Sequence, residues 1–138
     1  MHSICIVTRS FDDAGRGERQ EYAFRGRVTE EGDEVCLTWS AGEGAAGKSA
    51  LSFRRTDPLS LRLRQDEGLL RDIRFRRGQE ERGRCDIEGA GSIPFSVCTR
   101  TVDNRLTLAG GRILLDYEAQ IGGVRQRTVM EITVTEES

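Results

Sequence analysis

Two adjacent glycines, Gly122 and Gly123, separate two alternating runs, Arg112–Ile121 and Val124–Thr135. No other feature constrains the fold as much. A two-residue glycine loop accepts positive φ at both positions, as a type I′ turn requires, and that turn matches the twist of paired strands. The register follows. Ile121 stands opposite Val124, Tyr117 opposite Thr128, Leu115 opposite Met130 and Ile113 opposite Ile132 on one face. On the other face Gln120 meets Arg125, Glu118 meets Arg127 and Arg112 meets Thr133. Apolar pairs on one side and an acid–arginine pair on the other mark a sheet with one buried face.

The same period of two recurs along the chain, punctuated by Gly, Asp and Pro. Ile4–Phe11 and Arg19–Thr29 form the first runs, with Gly26 inside the second, where a bulge or sharp bend is expected. The turn Glu30-Glu31-Gly32-Asp33 leads to Glu34–Ser40, and Gly42–Gly47 is read as a flexible connection. Leu51 and Phe53, then Leu59, Leu61 and Leu63, resume the alternation. Asp66-Glu67-Gly68 turns the chain into Leu69–Arg77, and Gly78–Arg84 is read as a charged loop. Cys85–Glu88 forms a short strand, and Ile93, Phe95, Val97, Thr99 and Thr101 share one face of the next. Pro94 marks an edge or bulge there, and an unsealed edge near Pro94 would let a second copy pair as a homodimer. No segment shows a convincing 3.6-residue period. Nine or ten strands in hairpin succession close on themselves, because closure removes exposed edges. The expectation is all-β: one domain over residues 1–138, an antiparallel meander closed into a barrel of about eight to ten strands.

Composition bounds the function classes. The net charge of −2 gives no global field favouring nucleic acid or a membrane. Locally the balance is uneven: residues 54–84 hold ten arginines against six acids, while the flanking segments are each −3. Cys5, Cys36, Cys85 and Cys98 show no close metal-ligand spacing, and three of them sit in strand-like runs. No run approaches the ~20 apolar residues of a membrane span, and residues 1–7 lack a signal-peptide pattern. The expected location is the cytoplasm, with reduced thiols.

Several motifs resemble the YwiB-like family of bacterial proteins of unknown function. They are Phe75-x-x-Gly78 after an arginine-rich strand, Thr99 closing the Ile93–Val97 strand, and Gly111-Arg-Ile-x-x-x-Tyr117 leading through Gly122 to Met130–Thr135. The resemblance runs from about Ile4 to Glu136 and implies a calycin-like, lipocalin-type barrel with no known activity. The chain departs from the family at Cys85, where an aromatic residue is usual. It also lacks the Gly-x-Trp of true lipocalins.

Catalytic options are few. His2 is the sole histidine and lies beside the terminus, which argues against a histidine-based triad or metal site. No nucleophile elbow or phosphate loop occurs, so no cofactor, metal or catalytic residue is expected. Asp116 and Glu118 share a strand face, but the register puts that face outside. The inner face carries a better candidate. Tyr117, Gln126 and Thr128 lie on its inward phase, as does Arg71 between Leu69 and Ile73. Together they would hold the headgroup of a small amphipathic molecule, with Trp39 and Tyr22 as walls. The alternative is a protein- or RNA-interaction module using an exterior face of Arg54, Arg62, Arg64, Arg74 and Arg76. Nucleic acid is the less favoured partner, because no exposed aromatics interleave with those arginines for base stacking.

Overall fold

Ten antiparallel strands account for nearly all of the regular structure: β1 (His2–Phe11), β2 (Gly17–Glu31), β3 (Glu34–Ser40), β4 (Lys48–Arg54), β5 (Asp57–Gln65), β6 (Asp72–Arg76), β7 (Glu80–Ile87), β8 (Gly91–Asn104), β9 (Gly110–Ile121) and β10 (Val124–Glu136). The computed structural model describes residues 1–40, 47–66 and 70–137. Among the described residues there is no helix. Most of the expected loops Gly42–Gly47 and Asp66-Glu67-Gly68, together with Leu69, lie outside them.

The strands form one sheet in the order β6-β5-β4-β3-β2-β1-β10-β9-β8-β7, curled into a nearly closed barrel. Neighbours in the chain are neighbours in the sheet with one exception, β6 and β7, and the order is joined through β1 pairing with β10, from His2↔Glu136 to Phe11↔Arg127. The two chain ends therefore lie inside the sheet, and its two end strands, β6 and β7, are consecutive in sequence. The Gly122-Gly123 turn has φ of 56° and 89°. Its register is the expected one, pair for pair, from Val124↔Ile121 to Thr133↔Arg112.

The turn joining β6 to β7 draws the seam together. The Gly78 amide donates to the Thr99 carbonyl at 2.8 Å, and the Thr99 amide donates to the Gln79 carbonyl at 3.2 Å. Above it the Phe75 ring of β6 packs on Tyr117 of β9, centroids 4.9 Å apart and planes at 50°. Alternation places Ile4, Leu37, Leu51, Leu61, Phe75, Val97, Ile113, Leu115 and Ile132 on the inner face, where all are essentially inaccessible. Burying such side chains stabilises the fold by about 1.5–3 kcal/mol each, before the entropy of ordering the chain.

Five expectations are corrected here. Gly26 causes no bulge: its pairing with both neighbours is continuous. Its role is close approach, since a Cβ there would sit 2.1 Å from the Thr38 carbonyl oxygen and 2.4 Å from Ile4 Cδ1. The irregularities fall elsewhere, between Ser52 and Arg54 and between Thr99 and Thr101. The extra residue at Arg100 reverses the phase, so Thr101 is exposed and Val102 takes the buried place. The segment expected as a charged loop, Gly78–Arg84, is mostly strand β7, with Gly83 lying under the Phe95 ring. Leu59 is 46% exposed because β6 covers β5 only from Ser60 to Arg64. Finally, Pro94 is not on a free edge: it pairs with Arg84 of β7, and β8 is bordered by β9 from Phe95 onward. The strand with an open side in that region is β7, the partner of β8.

Candidate functional site

Strand lengths create the main opening. β2 has 15 residues and β3 has 7, so β3 covers only Gly26–Glu31 of β2. The first half of β2 projects past β3, and among the described residues no strand pairs on that side with the inner-face residues at that level, Tyr22 and Phe24. Their rings stack with centroids 6.1 Å apart. Trp39 sits at the end of β3 beside them, opposite Gly26, which offers no side chain to compete for the space.

Between these aromatics and the opposite wall lies a cavity of about 320 Å³. Its floor is the buried core: Ile6, Leu51, Leu63, Leu115 and Ile132. Phe24, Trp39 and Met130 form the sides, and each is only partly buried. Polar groups enter at few points: Thr8 on one wall, Ser49 and Gln65 on the other, with Tyr22 and Lys48 at the rim. Gln65 is held in place, its side-chain amide donating to the Leu70 carbonyl at 3.0 Å. The volume falls at the small end of the roughly 300–1,000 Å³ typical of ligand pockets, and an apolar floor with a sparse polar rim suits an amphipathic molecule.

The six residues expected to form one site divide. Trp39 and Tyr22 line this cavity, as expected of wall residues. Tyr117 and Thr128 do meet, by a side-chain hydrogen bond, and Thr128 Oγ1 lies 3.4 Å from Ser10 Oγ, but none of the three lines the cavity. The Phe75 ring covers Tyr117 instead. Arg71 and Gln126 are corrections. Arg71 precedes β6 rather than lying within it and is exposed, so it holds no inward position. Gln126 is exposed too, because the ends of β9 and β10 run past the covered part of the barrel. A guanidinium in water avoids the desolvation cost that an inward placement would have imposed.

Burial pushes the Tyr117 hydroxyl above the ordinary tyrosine value of 10.0, opposed only in part by its bond with Thr128. The fold thus favours the protonated phenol. The stability this contributes is fully present below pH 10 and is lost as pH rises through the raised value. Ultraviolet absorbance titration is expected to show a late-ionising tyrosine that Tyr117→Phe removes. A titration curve unchanged by that substitution contradicts the burial of this ring.

The exterior arginines do come together. Arg54, Arg62, Arg64, Arg74 and Arg76 line a single outer groove of about 580 Å³ across β4, β5 and β6. Arg62 is clamped by both oxygens of Asp72, at 2.9 and 2.7 Å, which draws the Asp72 carboxyl below its usual range. Arg76 donates to Ser60 Oγ at 3.0 Å. On the far side of the barrel the acid pair is occupied. Asp116 takes both arms of Arg127, and Glu118 takes Arg100 and Arg125, not the Arg127 directly opposite it. The register was right and the ion pair is diagonal.

Tyr22 and Trp39 were legible as aromatics at strand positions. The cavity they border follows from a further step: the β2–β3 pairing stops at Gly26↔Trp39, short of Phe24 and Tyr22. No protein-family model matches the sequence, and no curated protein matches it. A search of solved structures finds the crystal structure of the YwiB protein from Bacillus subtilis, at a TM-score of 0.81 and 17% identity, over 99% of this chain and 92% of that one. At that identity the likeness concerns architecture alone: this chain has the fold of YwiB.

Proposed function

We propose that this chain is a calycin-like member of the YwiB-like family that binds a small amphipathic molecule in the bacterial cytoplasm without catalysing a reaction on it. The cavity under Trp39 carries this reading. An apolar floor takes the ligand's hydrophobic part, and Thr8, Ser49 and Gln65 orient its polar part, with the Lys48 ammonium available to an anionic headgroup. Excluding water from the floor supplies the affinity, at about 25 cal/mol per Å² of apolar surface covered. The few polar groups set orientation.

The test uses anilinonaphthalene sulfonate, an apolar ring system bearing one anionic group, with emission from Trp39, the chain's single tryptophan, as the reporter. Titration is expected to quench Trp39 with saturable, micromolar binding. Ser49→Trp fills the cavity and, followed by the probe's own emission because the variant adds a second tryptophan, is expected to abolish that binding while leaving the melting temperature nearly unchanged. Native mass spectrometry of freshly purified protein is expected to show a bound small molecule that this variant lacks. Equal probe binding by the wild type and Ser49→Trp would overturn the reading.

A further inference from the structure

The outer surface of β2–β6 has a pattern that the arginine groove alone does not reveal. Register runs straight across five strands: Arg27↔Thr38, Thr38↔Ala50, Ala50↔Arg64 and Arg64↔Asp72. One step along, Thr29, Cys36, Ser52, Arg62 and Arg74 form the next row. Small side chains therefore floor the surface over β3 and β4, and Ser52 is buried outright. Long cationic side chains stand on both banks, Arg25 and Arg27 on β2, and Arg62, Arg64 and Arg74 on β5 and β6. The banks are three inter-strand steps apart, about 14 Å.

The resulting trough is continuous. The groove of about 580 Å³ over β4–β6 adjoins a second of about 760 Å³ over β2–β5, and Arg64 belongs to both. The second groove is lined by Arg25, Arg27, Lys48 and Arg64 against one acid, Asp66, and the first by five arginines against Glu34 and Asp57. In a chain of net charge −2 this is a marked segregation of positive charge. Among the described residues Arg27, Arg64 and Arg74 make no ion pair or side-chain hydrogen bond, so their guanidinium forks are open to a ligand. Trp39, whose inner side borders the cavity, also lines the second groove.

We propose that this trough binds single-stranded nucleic acid through its phosphates. Planar guanidinium forks match phosphate oxygens bidentately, and two facing banks grip a flexible strand along its length. The floor of small residues lets a flexible single strand lie between the two banks. Trp39 stands at the trough's end, where a terminal base can stack. The site is separate from the cavity floor, and its occupancy does not depend on the small-molecule reading.

Fluorescence anisotropy with a short labelled oligouridylate tests it, at a series of salt concentrations. Binding is expected to weaken steeply with salt, as phosphate contacts demand. The double reversal Arg27→Glu with Arg64→Glu, one residue from each bank, is expected to weaken binding by about tenfold or more and to flatten the salt slope by roughly 1.4, about 0.7 per lost contact. Arg105→Glu, outside the trough, is expected to change neither. In the wild type the oligonucleotide is expected to quench Trp39 and to leave cavity-bound anilinonaphthalene sulfonate in place, which separates the two sites. Absence of binding at low salt, or binding indifferent to the double reversal, overturns the proposal. So does tighter binding of duplex RNA. Displacement of the oligonucleotide by polyglutamate at equal or lower concentration likewise overturns it, and identifies an acidic polypeptide as the partner.

Discussion

Gly26→Ala is expected to destabilise the protein by about 3 kcal/mol, the upper range for overpacking, and to lower its melting temperature by roughly 10 °C. The added methyl would lie 2.1 Å from the Thr38 carbonyl oxygen and 2.4 Å from Ile4 Cδ1. The two obstacles differ in kind. Ile4 Cδ1 ends a side chain that can rotate or be shortened, whereas the Thr38 carbonyl belongs to the β2–β3 ladder and moves only if that pairing opens. The double variant Gly26→Ala with Ile4→Val is therefore expected to recover only a minor part of the loss. Gly26 does not adopt positive φ, so the whole effect is steric. Gly32→Ala gives the contrast: its φ is 61° and nothing lies within 4 Å of the added methyl, so only the backbone penalty of about 1–2 kcal/mol remains. Thermal denaturation followed by circular dichroism measures all three. A melting temperature for Gly26→Ala within a few degrees of wild type would show that β3 is not held against β2 at this point.

Phe75→Ala is expected to cost about 3–5 kcal/mol, the usual penalty for removing a fully buried aromatic ring. Phe75 is 1% exposed and is the largest of the fully buried side chains. Its position makes the loss more than a cavity. β6 ends the sheet on one side, and its Phe75 ring reaches β9 near the other end, so the contact with Tyr117 fastens the seam of the barrel. A double-mutant cycle with Tyr117→Ala is expected to show coupling of about 0.5–1.5 kcal/mol, the range for aromatic pairs beyond their area. Urea denaturation of the four proteins supplies the cycle. Additive losses would mean that the two rings are buried independently and that something else holds the seam.

How much of this was legible beforehand depends on the range of the interaction. The β9–β10 pairing was read residue by residue because two glycines set it locally and each further pair follows by counting. The buried face was equally plain, since Leu37, Ile113, Leu115 and Ile132 recur every second residue. The failures share a cause. Thr101 was assigned inward because one inserted residue at Arg100 reverses the phase, and a bulge leaves no mark in an alternating polar–apolar pattern. Arg71 was assigned inward by extending the phase of Ile73 past the point where β6 begins. Gly26 is read in the sequence as a bulge or sharp bend because a glycine inside a strand signals some backbone peculiarity without saying which. The exterior arginines were recognised as sharing a face, but the bank formed by Arg25 and Arg27 was missed, because it joins them only across two intervening strands of small residues.

Locally encoded properties were written in the chain itself: strand periodicity, turn chemistry, which side chains avoid water, and hence an antiparallel barrel. Those depend on a residue and its near neighbours, so counting reaches them. The place where the barrel nearly closes, the cavity left by a short β3 beside a long β2, and the two arginine banks facing each other over Thr38, Ala50 and Ser52 arose only on folding. Each depends on registers and strand lengths added up over several strands. A single bulge or one early strand end moves the sum, and only packed coordinates carry it correctly to the end.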